Sequence, residues 1–405
     1  MNNALYFQSG GVTAVIGATA ASLIKAHNEA GTGRLFAAEH GLSGLITEHL
    51  VDASALPESM RCALSQIPGG GLGSGRTLLA PYADDPEQWQ RVRDVLAKHQ
   101  IGTIYVNGGN GSMDTAAKLV ELSERFSLNL KVIGLPKTID NDLAGTDTSP
   151  GFGSALKYLS VSLMEAARDH CAMATKPSVF ILEVMGRHTG WLAGCGAVAR
   201  LPQAINAPLI LLPEVAFDPA HFVATVRERF TQSNAIVCVV SEGIRTADGQ
   251  FYAQQNVAKT YGHEQLGGAG FAVGELLRAE LGVKVHVAIP DYMQRAARHL
   301  ASATDIVQAE AVARHAVVLA QSGQSGLMVN IVRESDNPYR WHCDAVALGE
   351  IANRERTLPI DWIDREAYTL RPDALSYLRP LICGEAHLPW RDGLPEYPWV
   401  DWPAL

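Results

Sequence analysis

A cluster of polar side chains follows a short apolar run near residue 137. Residues 132–135 are apolar and predict a buried strand, which Pro136 ends. The polar residues that follow are Lys137, Thr138, Asp140, Asn141 and Asp142. Open α/β sheets bind ligands just beyond the carboxyl ends of their strands, so this cluster could hold and activate a substrate. Asp and Asn also favour turns, and taken alone the cluster has an ordinary loop as its alternative interpretation.

Three glycine-rich turns lie in the first part of the chain. Residues 9–11 follow the first predicted strand, and residues 68–76 form a long glycine-rich loop that ends at Arg76. Residues 107–112 (Asn-Gly-Gly-Asn-Gly-Ser) close one strand and open a helix. Glycine lets backbone approach a phosphate closely, and a helix N-terminus offers N–H groups and a favourable dipole. Each turn alone is typical of an ordinary βα connection, but together they predict a polyphosphate site.

The standard nucleotide-binding fingerprints are missing from the sequence. There is no G-x-x-x-x-G-K-[ST] motif, and no predicted strand is followed by G-x-G-x-x-G. Residues 194–199 fit a relaxed form, G-x-G-x-x-A, but they lie inside a predicted helix rather than after a strand. A dinucleotide-dependent oxidoreductase is therefore disfavoured.

Further strand ends in the second part of the chain carry charged residues. Residues 183–191 follow a strand, and Arg187 there could clamp a phosphate with two hydrogen bonds. Glu242 ends the apolar run 235–240, where its carboxylate could hold a sugar hydroxyl. Residues 292–295 add the cation Arg295. No histidine, including His263 and His286, has a spacing typical of a metal cluster.

Strand-like and helix-like runs alternate along most of the chain, which predicts a doubly wound α/β fold with right-handed crossovers. The βα units are too many for one compact sheet, so we expect two lobes with a boundary near residues 150–151. The predicted helices are 12–30, 88–99, 113–123, 153–174, 190–199 and 219–231, and the predicted strands include 34–38, 101–106, 132–135, 179–184, 208–212, 235–240 and 284–289.

The composition is that of an ordinary soluble globular protein. The chain has 405 residues, 47% of them hydrophobic, and a net charge of -9, which argues against nucleic acid as a partner. The six cysteines lack a C-x-x-C pair, which favours a reduced, cytoplasmic protein. No apolar run reaches the roughly 18 to 20 residues of a membrane helix, so no membrane association is expected.

Five motifs in order make the chain resemble the phosphofructokinase family, with the pyrophosphate-dependent bacterial branch as the nearest likeness. The motifs cover residues 136–142, 150–154, 183–187, 241–243 and 292–295. The resemblance implies two doubly wound, mainly parallel, Rossmann-like sheets with the active site between them. It implies a phosphoryl-donor lobe at 1–150, completed by about 292–338, a fructose 6-phosphate lobe at 151–291, and a C-terminal extension at 339–405.

The same resemblance implies a role for each motif residue. Asp140 would accept the proton of the 1-hydroxyl of fructose 6-phosphate, and Asp142 would assist it or hold Mg²⁺ together with Asn110. Lys137 and Arg187 would stabilise charge on the transferring phosphoryl group. The sugar phosphate would contact Thr138, Met185, Gly186, Arg187, Glu242, Tyr292 and Arg295. The donor would contact Gly11, Arg76, Asn110, Gly111 and Ser112.

The phosphoryl donor is where the sequence departs from the pyrophosphate pattern. Pyrophosphate-using members generally carry Asp in place of Gly111, where the carboxylate fills the space of the ATP α-phosphate. Gly111 opens that space, whereas Lys137 is usual in the pyrophosphate branch. We therefore expect ATP as the donor, with pyrophosphate as the alternative. Asn110 stands where many relatives have Asp, which removes one carboxylate that could hold magnesium.

The resemblance also implies a homodimer or homotetramer, because family members borrow phosphate-binding cations from a neighbouring subunit. The cations near the expected places are Lys176, Lys284 and His286. A catalytically silent, sugar-phosphate-binding homologue is a remote alternative, since Asp140 and Arg187 are both present. Other sugar-phosphate acceptors, such as sedoheptulose 7-phosphate, stay open at this point.

Overall fold

The computed structural model describes residues 3–202, 206–253, 267–351 and 354–403, so His263 lies outside the described residues. The chain forms two compact units. Unit 1 comprises Met1–Ser154, Arg295–Glu355 and Cys383–Leu405, and unit 2 comprises Ala155–Gln294 and Arg356–Ile382. Among the described residues, no helix is long and apolar enough to cross a membrane.

Unit 1 is built on a seven-stranded sheet in the order β11-β10-β5-β4-β1-β2-β3. The central strands are parallel, and the two edges each carry one antiparallel pair, β2 with β3 and β10 with β11. The strands are β1 Asn3–Gln8, β2 Leu35–Ala38, β3 Leu50–Asp52, β4 Ile101–Gly108, β5 Lys131–Pro136, β10 Leu327–Asp336 and β11 Tyr339–Ala347.

Helices cover both faces of this sheet, which explains why β1 and β4 are buried along almost their whole length. Alternate side chains of β1 point to opposite faces. Tyr6 packs in the core with Ile24 and Val312, and Phe7 packs in a second core with Val92 and Leu119. The helices of unit 1 are α1 Ile16–Ala30, α2 Leu42–Thr47, α3 Glu58–Leu64, α4 Pro86–Lys98, α5 Asn110–Arg125, α11 Ala303–Gln321 and α12 Leu348–Ile351.

Unit 2 contains a four-stranded, fully parallel sheet in the order β7-β8-β6-β9. Its strands are β6 Ser178–Val184, β7 Leu209–Leu211, β8 Ala235–Ser241 and β9 Lys284–Ala288. All seven residues of β8 are buried, as its continuous apolar sequence predicts. The remaining helices are α6 Phe152–Met173, α7 Cys195–Val198, α8 Pro219–Arg229, α9 Ala269–Leu281, α10 Met293–Ala296 and α13 Pro372–Leu381. Short antiparallel pairs join β12 Ile363–Asp364 to β13 Thr369–Leu370 and β14 Trp390–Arg391 to β15 Leu394–Pro395.

These sheets confirm the predicted α/β class with mainly parallel strands, but several element boundaries differ. Helix α1 begins at Ile16 rather than at residue 12, because residues 9–13 form the glycine turn after β1. The helix predicted at 190–199 is only a 3₁₀ turn, Leu192–Gly194, followed by the single-turn α7.

Residues 339–405, predicted as a C-terminal extension, are divided between the two units. Strand β11 pairs with β10 over nine residue pairs, so it belongs to the sheet of unit 1. Residues from Arg356 to Ile382 belong instead to unit 2, and the rest returns to unit 1. Strands β10 and β11 are joined by only two residues, so this pairing is a local hairpin.

A buried carboxylate joins the start of α6 to the first turn of α11. Asp305 is 2% exposed and accepts hydrogen bonds from the backbone N–H groups of Gly151 and Ser154, both at 2.9 Å, and from the Ser154 hydroxyl at 2.5 Å. The first N–H groups of a helix have no intrahelical partner, so a carboxylate there satisfies donors that would otherwise be orphaned. Asp305 therefore fixes where α6 begins, directly after the 136–150 segment.

We expect Asp305→Ala to lower the free energy of unfolding by about 3 kcal/mol, because it leaves three buried donors without an acceptor. Asp305→Asn keeps one acceptor oxygen and should lose less. Urea denaturation measures both. The matched control is Asp94→Ala, whose carboxylate makes only a surface pair with Arg93 and should change stability by less than about 0.5 kcal/mol. Equal effects at the two positions would contradict this role for Asp305.

Candidate active site

The three glycine-rich turns of unit 1 meet at the carboxyl ends of β1 and β4. The N–H of Ser9 donates to the Asn107 carbonyl at 2.9 Å, and the N–H of Gly10 donates to the Gly75 carbonyl at 2.9 Å. The Ser74 hydroxyl donates to the Gly10 carbonyl at 2.6 Å. The convergence predicted from the sequence is therefore present, and the loop that carries Arg76 is tied to the turn after β1.

Lys137 lies at the centre of these turns. Its side chain is 2% exposed, and its ammonium donates to the carbonyls of Ser9 at 2.7 Å and Gly11 at 2.5 Å. Gly10 has φ +81°, and a Cβ there would lie 3.5 Å from the Lys137 Nζ. The turn after β1 therefore wraps the ammonium with backbone alone.

The pKa of the Lys137 side chain lies well below its ordinary value. Burial lowers the pKa of Lys137 from 10.5 to about 7, the carboxylates of Asp140 and Asp142 oppose that shift, and the guanidinium groups of Arg295 and Arg76 reinforce it. The site of unit 1 thus places two guanidinium groups and two carboxylates around one buried nitrogen.

The carboxylates beyond β5 are held by short-range hydrogen bonds. The N–H of Asp140 donates to the Thr138 hydroxyl at 3.0 Å, and that hydroxyl lies 3.4 Å from the Asp140 Oδ2. Asn141 is fully buried with φ +52°, and its side-chain oxygen accepts from the Ser149 N–H at 3.1 Å. Asn tolerates this left-handed backbone, which turns the chain between the two aspartates.

The N-terminus of α5 faces the same region. The helix begins at Asn110, three residues earlier than the sequence predicted, so Asn110, Gly111 and Ser112 form its first turn. No side chain caps this N-terminus, and the Asn110 side-chain N–H₂ donates to the Asp142 Oδ2 at 2.9 Å. Such a helix end is suited to binding an anion.

The space over Gly111 is bordered by the side chain of Leu78, which the sequence motifs do not include. A Cβ at Gly111 would lie 3.3 Å from the Leu78 Cδ1 and 3.4 Å from its Cδ2. The expectation of ATP assumed that Gly111 leaves open space beside it. In the structure, the Leu78 side chain borders that space.

Arg295 lies in unit 1, as does Thr138, whereas the other residues predicted to bind the sugar phosphate lie in unit 2. A Cβ at Gly11 would lie 2.8 Å from the Arg295 Nη1, so the guanidinium stacks directly on the turn after β1. Gly11 permits this close approach because it has no side chain.

In unit 2, Met185, Gly186 and Arg187 follow β6, Glu242 follows β8, and Tyr292 follows β9. The N–H of Gly186 donates to the Glu242 Oε1 at 3.3 Å, and the Ser241 hydroxyl donates to the Gly186 carbonyl at 2.6 Å. Burial raises the pKa of the Glu242 carboxyl, partly offset by that Gly186 N–H. Arg187 is exposed, and its guanidinium lies 5.5 Å from the centre of the Phe251 ring. Tyr292 is 66% exposed.

Two residues that position this region, the buried Gln294 and the half-buried Glu214, were missed from the sequence. The Gln294 side chain accepts from the Met185 N–H at 3.2 Å and is 1% exposed. The Glu214 side chain accepts from the N–H groups of Gly190 at 2.8 Å and Leu358 at 3.0 Å. Gln294 stands inside the 292–295 motif, and its place between Tyr292 and Arg295 was the available signal. Glu214 had none, because its partners are distant in the sequence.

The residues around α5 fit a magnesium ion better than a transition metal. Among the described residues, no three His, Cys, Asp or Glu side chains cluster as a metal site. Mg²⁺, however, uses one or two protein oxygens together with water and phosphate oxygens. The Asn110 side-chain oxygen is buried and accepts no hydrogen bond, and it lies next to the Asp142 carboxylate.

The pKa of Lys137 makes stability depend on pH. Between about pH 7 and 10.5 the unfolded chain binds more protons than the folded chain, so Lys137 makes stability rise with pH by up to about 1.4 kcal/mol per pH unit. We expect Lys137→Met to lose this rise, measured by urea denaturation at several pH values. Lys131→Met, which removes an ammonium bonded to the Ala320 carbonyl, should keep it. If stability rose equally with pH in both variants, Lys137 would not be the source of the rise, and its side chain would stay charged in the folded protein over this pH range.

Comparisons with known proteins agree with this geometry. Residues 3–320 match the family model described as Phosphofructokinase. The chain is 46% identical over 398 residues to the pyrophosphate--fructose 6-phosphate 1-phosphotransferase of Xanthomonas campestris pv. campestris and 42% identical over 398 residues to that of Methylococcus capsulatus. Each alignment covers 98% of this chain and 95% of the relative.

A solved structure gives the same result. The pyrophosphate-dependent phosphofructokinase from Nitrosospira multiformis superposes with a TM-score of 0.90 at 38% identity, covering 100% of this chain and 98% of that one. The resemblance drawn from the five motifs is therefore confirmed over nearly the full length. The chain belongs to the phosphofructokinase family, whose members are phosphotransferases with an alcohol group as acceptor.

Proposed function

We propose that this enzyme transfers a phosphoryl group from inorganic pyrophosphate to the 1-hydroxyl of fructose 6-phosphate, with Mg²⁺, in glycolysis. The observation that carries the proposal is the buried Lys137 ammonium, at which three glycine turns and two carboxylates converge. Relatives at 42% and 46% identity are named for this reaction.

Pyrophosphate replaces ATP as the preferred donor in this proposal. The expectation of ATP rested on Gly111 alone, and the relatives named above use pyrophosphate. A small polyanion also suits the site, because Lys137, Arg76 and Arg295 are gathered beside one helix N-terminus. Binding a polyanion favours the ammonium form of Lys137, which the free enzyme holds only weakly near neutral pH.

Asp140 is the base in the mechanism that we propose. It takes the proton of the sugar 1-hydroxyl while the sugar oxygen forms a bond to the nearer phosphorus of pyrophosphate. The bond from that phosphorus to the bridging oxygen breaks, and the bridging oxygen leaves with inorganic phosphate. Thr138 supports this role, since it bonds the Asp140 backbone and lies against its carboxylate.

Charge neutralisation falls to the cations and the helix end. Phosphoryl transfer depends mainly on positioning and on stabilising the oxygens of the transferring group. We assign Lys137, Arg76 and Arg295 to the donor, together with the first-turn N–H groups of Asn110 and Gly111. Arg295 moves from the sugar-phosphate set to the donor set because its guanidinium stacks on Gly11.

Asp142 and the Asn110 side-chain oxygen would hold Mg²⁺ in this proposal. When bound there, the ion neutralises charge on the donor's phosphate oxygens. The hydrogen bond from Asn110 to Asp142 orients both oxygens before any ion arrives. An amide in place of a carboxylate leaves the site one negative charge weaker.

Unit 2 supplies the contacts to the sugar phosphate. Glu242 is a partly buried carboxylate that can accept hydrogen bonds from sugar hydroxyls, and Arg187 is an exposed guanidinium suited to phosphate. Met185, Gly186 and Tyr292 complete the set that we assign to this substrate. Gly186 has φ +135°, and a Cβ there would lie 2.4 Å from the Thr189 carbonyl oxygen, so the loop requires glycine.

We further propose a cytoplasmic homodimer or homotetramer. All six cysteines are free thiols, which supports a reducing compartment. Lys284 and His286 lie on β9, an edge strand of the second sheet. Lys176 is exposed two residues before the start of β6. Cations on an exposed edge are placed where a neighbouring subunit could use them.

The first test of the proposed function is the choice of donor. We expect initial rates with fructose 6-phosphate and Mg²⁺ to be at least about tenfold higher in kcat/KM with pyrophosphate than with ATP. The reverse preference would show that the donor is ATP, and no turnover with either would support the silent homologue.

The second test is Asp140→Ala. We expect kcat to fall by about 10² to 10⁴, the range typical of a general base, while fructose 6-phosphate still binds. Stopped-flow rates and equilibrium binding measure the two quantities separately. Asp94→Ala removes a surface carboxylate and should leave both unchanged. A nearly normal kcat in Asp140→Ala would remove Asp140 from the mechanism.

A further inference from the structure

Leu78 stands at one end of the donor residues. Its side chain is 45% exposed, which is unusual for a leucine beside a polar site, and both of its methyl carbons border the space over Gly111. The Leu78 side chain therefore presents exposed apolar surface next to the first turn of α5.

The backbone on the C-terminal side of Leu78 is firmly anchored. The Leu79 carbonyl accepts from the Lys118 ammonium at 2.9 Å, and the Leu79 N–H donates to the Thr115 hydroxyl at 3.4 Å. The next residue is held as well, because the Ala80 carbonyl accepts from the Trp89 indole at 2.8 Å. Leu79 and Trp89 are fully buried. Leu78 is thus presented by a fixed segment, not by a loose loop.

Gly109 and Gly111, at the start of α5, have different neighbours. A Cβ at Gly109 would lie 3.8 Å from the Thr138 Cβ, so Gly109 adjoins the end of the site that carries Asp140. Gly111 lies two residues further along α5, and Leu78 lies against Gly111. Since the transferring phosphoryl group must lie at the Asp140 end, the far end of the donor points towards Gly111 and Leu78.

We propose that Leu78 sets the length of the phosphoryl donor and excludes any donor with a third phosphate. This inference rests on the proposed pyrophosphate function. A third phosphate group at that place would lose water against methyl groups that offer no hydrogen bond. The exclusion that a carboxylate at position 111 would achieve by charge is achieved here by the volume and apolarity of residue 78.

The test compares three donors in the intact enzyme: pyrophosphate, inorganic tripolyphosphate and ATP. Tripolyphosphate adds a third phosphate without a nucleoside, so it isolates the effect of donor length. We expect Leu78→Ala to raise the ratio of kcat/KM for tripolyphosphate to that for pyrophosphate by about tenfold or more, and the ATP ratio in the same direction. Leu78→Met keeps an apolar side chain of similar volume and should keep the wild-type ratios.

Val318→Ala is the matched control, because Val318 is an exposed aliphatic residue of α11 at 55% exposure. Its ratios should equal those of the wild type. If the wild type prefers pyrophosphate and Leu78→Ala leaves both ratios unchanged while its thermal midpoint is normal, the inference about Leu78 is wrong and the proposed function stands. If the wild type prefers ATP, the proposed donor and the inference both fall.

Discussion

The structure of unit 1 depends on how a single ammonium is kept inside the protein. Lys137 is 2% exposed, and two carbonyls from the turn after β1 accept its hydrogen bonds. Removing an ammonium from water is costly, and these two carbonyls and the nearby carboxylates recover only part of that cost, as the pKa of about 7 indicates. A bound polyanion would supply the missing charge. Under the proposed function, the donor would therefore complete the charge balance around Lys137.

The parallel sheet explains why that ammonium meets so much backbone. Strands β1, β4 and β5 are adjacent and parallel, so their carboxyl ends lie along one edge. β1 delivers Ser9, β4 delivers Gly108, and β5 delivers Lys137, whose N–H donates to the Gly108 carbonyl at 3.0 Å. Positions far apart in the sequence thus become neighbours through strand order alone. Small side chains at these strand ends are what let the three turns approach one another.

Much of this could be predicted from the sequence, because strand ends carry local signals. The segment 132–142 predicted a strand that ends in polar residues able to bind a substrate. The glycine-rich turns predicted that three loops meet at one phosphate-binding site. Contacts between distant segments could not be predicted. Leu78 against Gly111 and Arg295 against Gly11 both depend on how loops pack after folding. The expectation of ATP had the same weakness: a glycine reveals that its own side chain is missing, but not that Leu78 borders the space.

Charge and volume are different ways to select a donor, and they have different physical consequences. A carboxylate repels a phosphate through a Coulomb interaction that salt screens and protonation abolishes. A leucine acts through excluded volume and lost hydration, which neither salt nor pH removes. A fixed apolar side chain also adds no negative charge to a region that already holds the carboxylates of Asp140 and Asp142. With Asn110 in place of an acidic residue as well, the residues that we assign to the donor carry little negative charge, and in our proposal the shape of Leu78 selects the donor.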